Sequence, residues 1–131
     1  MARSFDEILE RIRTIEIPES FDMVVAIANG GIIPAAMINQ RLGSEFQLLK
    51  LNLRDAMQQK LYEKPKLLES IGFDFKGKRI LLVDDRVKTG TTLQFAKELL
   101  SEAAVVKVLA VNGNADYMLF NEACFRFPWL L

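Results

Sequence analysis

The run Arg79-Ile80-Leu81-Leu82-Val83 passes directly into the acidic pair Asp84-Asp85, and a polar turn then opens a helical pattern from about Thr91 to Ala103. A strand this apolar is buried on both faces, which restricts it to a parallel sheet covered by helices. Leu93, Ala96, Leu99 and Leu100 recur at helical spacing, with Phe95 widening the stripe, so the helix folds back onto that sheet. An earlier segment has the same plan. Met23-Val24-Val25-Ala26-Ile27-Ala28 is a continuous apolar run ending at Asn29-Gly30-Gly31. A helix from about Pro34 to Leu42 follows, with Pro34 in its first turn and Gly43 in the stop position. Two strand-loop-helix units predict an α/β fold: a doubly wound, mostly parallel sheet with helices on both faces.

The remaining pattern fits around these units. Ser4 and Glu7 have the spacing of a capping box, and Phe5, Ile8, Leu9, Ile12 and Ile15 then recur at helical intervals. Phe46 to Leu53 and Val105 to Val111 read as further strands, and Cys124 to Trp129 as a short final one. The polar stretch from Arg54 to Lys66 reads as a mobile loop. With 131 residues the chain suffices for one ordinary domain, so residues 1–131 are expected to form a single unit.

Composition removes whole classes of function. Seventeen basic residues balance seventeen acidic ones, which leaves no electrostatic footprint for DNA or RNA. Without histidine there is no imidazole base and no histidine metal site. The lone Cys124 has no partner for an internal disulfide and no imidazole to activate it, so a packed thiol is expected. The charged, amphipathic start MARSFDEILERIR lacks the apolar run of a signal peptide. A cytoplasmic protein with no membrane partner is expected.

The turn after the acidic pair, Thr89-Gly90-Thr91-Thr92, leads into a helix N-terminus, which presents backbone N–H groups, hydroxyls and a partial positive charge to an anion. A phosphate is the expected occupant. Two carboxylates beside it would repel a bare phosphate; they suit sugar hydroxyls or a metal ion. The segment Gly72 to Arg79 echoes a Walker A loop but fails as one. Arg79 stands where the Mg²⁺-binding hydroxyl belongs, and the segment precedes a strand rather than joining strand to helix.

Val83 to Thr92, preceded by Ile80-Leu81-Leu82, resembles the phosphoribosyl pyrophosphate signature of the type I phosphoribosyltransferases. Ala28 to Ala35 is similar to the pyrophosphate-binding loop of the same family, and Phe127-Pro128-Trp129 to the tail of its xanthine-guanine branch. The resemblance implies a phosphoribosyltransferase-like fold with a minimal hood. It also implies a Mg²⁺-dependent transfer of the 5-phosphoribosyl group to a nitrogenous base, a purine, with release of pyrophosphate. Under it, Asp84 and Asp85 approach the ribose hydroxyls, directly or through Mg²⁺ and water, and Lys88, Thr89, Gly90, Thr91 and Thr92 wrap the 5′-phosphate. Asn29, Gly30 and Gly31 meet pyrophosphate, joined by Lys60, Lys64 or Lys66 from the polar loop. Trp129 serves either as packing or as a platform for the base. A homodimer is the assembly the family suggests, with the apolar face of the first helix open to either the core or a partner.

Three positions depart from the family pattern. Lys88 stands where the 6-oxopurine branch places an Asp, Arg86 where an apolar or small residue is usual, and Asn29 where an Arg or Lys is common. These departures keep open a second class of function, a non-catalytic protein that senses phosphoribosyl pyrophosphate or a nucleotide. A third, an unrelated metal-binding domain, would bind Mg²⁺ without any phosphoribosyl ligand.

Overall fold

The computed structural model describes residues 2–52, 66–67 and 71–130. The first helix, α1 (Phe5–Thr14), begins with the anticipated capping box: Ser4 Oγ accepts from the Glu7 N–H at 3.2 Å, and the Ser4 N–H donates to Glu7 Oε1 at 3.1 Å. Such a cap contributes about 1 kcal/mol. The chain continues through β1 (Met23–Ala28), α2 (Ile32–Leu42), β2 (Glu45–Asn52) and β3 (Lys66–Leu67). It ends with β4 (Arg79–Arg86), α3 (Thr91–Leu99), β5 (Val105–Asn112) and β6 (Tyr117–Phe120).

The strands form one six-stranded sheet in the order β3-β2-β1-β4-β5-β6. All neighbours are parallel except β2 and β3. In the centre, Val24 lies level with Phe46 on one side and Leu81 on the other. Alternation sends Val24, Ala26, Leu81 and Val83 to one face, where Ile8 and Ile12 of α1 and Ala35 and Ile38 of α2 cover them. Met23, Val25, Ile80 and Leu82 point to the other, under Leu93 and Ala96 of α3 and Leu100 just beyond it. The α/β fold with helices on both faces is therefore as anticipated. Ile8 and Ile12 of the apolar face of α1 are spent on this core, while Phe5 stays 43% exposed.

Four local expectations are corrected. The strand β4 does not stop at Val83 but carries Asp84, Asp85 and Arg86 with it, because β5 keeps pairing, Asp84 with Ala110 and Arg86 with Asn112. The helix α3 ends at Leu99, with Leu100 as its cap and a turn at Ala103. The last strand is Tyr117–Phe120, while the tail from Cys124 to Trp129 makes a single bridge, Arg126 with Ala2. Phe125 and Phe127 are nonetheless buried, which explains why their alternation resembles a strand. Finally, Cys124 is exposed rather than packed, because Phe125 and Phe127 take the inward positions.

Candidate functional site

The sheet order sets the site. From β1 the chain crosses by α2 to β2, and from β4 it crosses by α3 to β5, on opposite faces and in opposite directions. In open α/β sheets a crevice opens where strand order reverses in this way, beyond the carboxyl ends of the two strands. Here those ends lead into the two glycine-containing loops.

After β1 the chain turns tightly. The Ala28–Asn29 peptide bond is cis, and the Gly31 N–H donates to the Ile27 carbonyl at 2.7 Å. A Cβ on Gly31 would lie 2.3 Å from the Val83 carbonyl oxygen and 2.7 Å from that of Ile27, so only glycine fits. A Cβ on Gly30 would lie 2.5 Å from Asp85 Oδ2. The loop after β1 thus rests directly on a carboxylate carried by β4.

The Asp85 N–H donates to Asp84 Oδ1 at 2.8 Å, locking the pair. Crowding by surrounding protein atoms pushes the Asp84 carboxyl well above the usual aspartate range, and the neighbouring charge of Asp85 pushes it further; its hydrogen bond from the Asp85 N–H acts the other way. A bound cation or ligand hydroxyls would stand in for the water the carboxylate has lost. Beyond the pair, Gly90 adopts φ +81° as the N-cap of α3 and offers no side-chain acceptor to the helix. The Thr89 and Thr91 hydroxyls are 3.0 Å apart, and Thr89 Oγ accepts from the Thr91 N–H at 3.3 Å. Whereas α1 satisfies its N-terminal donors with its own capping box, α3 directs its N-terminus at the crevice.

A cavity of about 620 Å³ opens there, lined by Asp84 to Leu93 together with Phe127 and Leu130. Seven anticipated residues share it: Asp84, Asp85, Lys88, Thr89, Gly90, Thr91 and Thr92. Gly30 adjoins it through Asp85, whereas Asn29, Gly31 and Trp129 do not line it. Trp129 lies behind its wall, stacked on Phe127 with ring centres 5.0 Å apart and planes within 7°. Lys60 and Lys64 lie outside the described residues, and Lys66 belongs to β3. A smaller cavity of about 370 Å³ along β2, between Phe46 and Phe73, has no acidic pair or helix N-terminus and lacks this chemistry.

Phe127, named from the sequence only as part of the tail motif, and Leu130, not named at all, are the tail residues that line it. The tail that carries them is tied down on several sides. The Arg3 N–H donates to the Arg126 carbonyl at 3.2 Å, and the Arg3 guanidinium pairs with Glu122 at 2.6 Å while lying 4.7 Å from the Phe120 ring centre. The buried Asn112 amide holds the Glu122 backbone from both sides, at 3.2 and 3.0 Å.

The donor set fits Mg²⁺ of one kind. Two adjacent carboxylates offer hard oxygen ligands, and among the described residues no group of three or more acidic, Cys or His side chains could hold a metal ion. Such a pair suits an ion shared with substrate oxygens rather than a protein cage. Among the described residues, no helix is long and apolar enough to cross a membrane.

A family model for the phosphoribosyl transferase domain matches residues 2–119. The xanthine-guanine phosphoribosyltransferase of Chromohalobacter salexigens is 35% identical over 138 aligned positions, covering 96% of this chain and 81% of that protein. The orotate phosphoribosyltransferase of Sulfurisphaera tokodaii is 36% identical over 93 positions, covering 71% of this chain and 41% of the other. The fold is similar to that of purine phosphoribosyltransferase from Pyrococcus horikoshii, with a TM-score of 0.83 at 24% identity over 98% of this chain and 93% of that one.

Proposed function

The chain belongs to the phosphoribosyltransferase family, and from that premise we propose that it moves the 5-phosphoribosyl group of phosphoribosyl pyrophosphate onto a purine base and releases pyrophosphate. The observation that carries this reading is the meeting of the acidic pair on β4, the open N-terminus of α3 and the glycine loop of β1 in one crevice.

In this reading the 5′-phosphate sits on the Thr89–Thr92 turn, held by backbone N–H groups and threonine hydroxyls at the positive end of α3. Asp84 and Asp85 accept from the ribose hydroxyls and are the residues that would hold Mg²⁺. The ion, when bound, supplies positive charge that stabilises the departing pyrophosphate. As the anomeric bond loosens, the ribose becomes electron-poor, and the two carboxylates stabilise it electrostatically without forming a covalent bond. The Asn29–Gly30 turn meets pyrophosphate, Gly31, whose N–H is bonded to the Ile27 carbonyl, shapes that turn, and exposed Lys88 adds a cation at the mouth of the cavity. The acceptor base lies toward exposed Leu130, beside the buried Phe127, at the apolar end of the same cavity. The likeness to a xanthine-guanine enzyme supports a purine; the likeness to an orotate enzyme makes the pyrimidine the competitor to test.

Lys88 and Arg86 favour one further reading, a protein that binds phosphoribosyl pyrophosphate or a nucleotide without turnover, because no carboxylate stands at position 88 to manage the proton of the attacking ring nitrogen. Both readings are tested together. Calorimetric titration with phosphoribosyl pyrophosphate, with and without Mg²⁺, should show Mg²⁺-dependent binding that is lost in an Asp84→Asn/Asp85→Asn protein. Pyrophosphate release with guanine, xanthine, hypoxanthine, adenine and orotate then separates enzyme from sensor. No binding by the folded wild-type protein would end both readings.

A further inference from the structure

Arg86 links the two halves of the cavity. It ends strand β4, next to the acidic pair, yet its Nη2 donates to the Phe125 carbonyl of the tail at 2.7 Å. Its guanidinium carbon lies 4.7 Å from the centre of the Phe127 ring, whose far side carries Trp129. Guanidinium, phenyl and indole therefore form one stacked column from the end of β4 into the tail. A flat, delocalised cation suits such a column better than a lysine ammonium, which can lie over one ring but cannot stack. The Arg86 Nε is buried and has no hydrogen-bond partner, as is the Trp129 Nε1 at the other end of the column. Two orphaned donors are a cost to stability, and a group held at that cost calls for an explanation in position rather than in stability.

The cavity is divided chemically in a way that gives this column a task. Its Lys88–Thr92 end is polar and suits a phosphate; its tail end presents the exposed Leu130 beside the buried Phe127 and suits something apolar. The polar end is carried by the turn and helix that directly follow β4, whereas the tail end is carried by a segment that reaches the sheet only by docking from the far end of the chain. We propose that Arg86 is a positioning residue for the acceptor base: by seating the tail on the end of β4 it sets the affinity for the base and leaves that for the ribose phosphate unaltered. This rests on the transferase reading of the same cavity.

The test uses two probes that differ in the base, ribose 5-phosphate and guanosine 5′-monophosphate, titrated into the 131-residue protein. Arg86→Met keeps the apolar stem and removes the fork and charge; Arg86→Lys keeps the charge and removes the planar stack. The expected result is a loss of about tenfold in monophosphate affinity for Arg86→Met and about threefold for Arg86→Lys, with ribose 5-phosphate affinity within twofold of wild type in both. Trp129 is the only tryptophan, so its emission reports the seating of the tail directly and should shift in the same order. Equal losses for the two probes would make Arg86 part of the phosphate site and overturn the inference, as would unchanged affinities in both variants. Wild-type protein that binds ribose 5-phosphate and gains nothing from the base would overturn it alone. Wild-type protein that binds neither probe would end the transferase reading and this inference with it.

Discussion

The loops after β1 and β4 both follow apolar central strands, both rely on glycine, and they solve opposite problems. Around Gly31 there is no room: backbone oxygens of Val83 and Ile27 crowd the place a side chain would take. Around Gly90 nothing lies within 4 Å of that place, and what demands glycine is the left-handed backbone at φ +81°. One loop is closed against its neighbour strand, and the other is held open over a cavity. The difference assigns the first loop to building the crevice floor and the second to presenting donors at its edge.

The strongest way to break this contrast is Gly31→Ala. Overpacking against backbone that cannot move should cost about 3 kcal/mol, measured as a fall in the urea midpoint. A wild-type midpoint would mean that the β1 loop is free to relax and is not the rigid member of the pair. Gly90→Ala meets no atoms and strains only the backbone, so a cost of about 1–2 kcal/mol is expected. Because this strain falls on the turn proposed to hold phosphate, ribose 5-phosphate affinity should drop as well. Retained affinity would detach the turn from phosphate binding.

The smallest effect has the opposite sign. Asp84→Asn keeps an acceptor for the Asp85 N–H and removes a crowded charge, so about 1 kcal/mol of stability should be gained at neutral pH. The folded-state pKa of Asp84 lies above its unfolded value, so the native state keeps this proton to higher pH. The contribution is complete below the unfolded value and is lost as pH rises toward the folded one. Wild-type stability should therefore decline across that window, and the Asn variant should lack this component of the slope, as denaturation at a series of pH values would show.

The two loops also differ in how readily the sequence reveals them. The β4 segment could be read because its pattern is local: an apolar run, an acidic pair, a Thr-Gly-Thr-Thr turn and a helical stripe follow one another without a gap. The capping box of α1 and the Gly43 stop of α2, observed with φ +64°, are equally local signals. What the sequence hid is long-range. Extension of β4 through Arg86 depends on pairing with Asn112. The short strand Tyr117–Phe120 earns its place only beside β5, and the alternation of Phe125 and Phe127 reflects burial under the N-terminal segment rather than sheet pairing. The same reason kept Phe127 out of view as a lining residue, while the more conspicuous Trp129 sits one layer behind it.

The clamp between Arg3 and Glu122 has a consequence for the order in which the molecule assembles. Its partners are 119 positions apart, so joining them closes a loop of nearly the whole described chain. The entropy of such a closure is recovered only once the intervening sheet exists, since loop cost rises with the logarithm of length. The central strands can form with the tail still free; the tail cannot dock without them. The apolar wall of the cavity thus presupposes the sheet on which it rests. A ligand resting on that wall would favour the state with the tail docked over any in which it is detached.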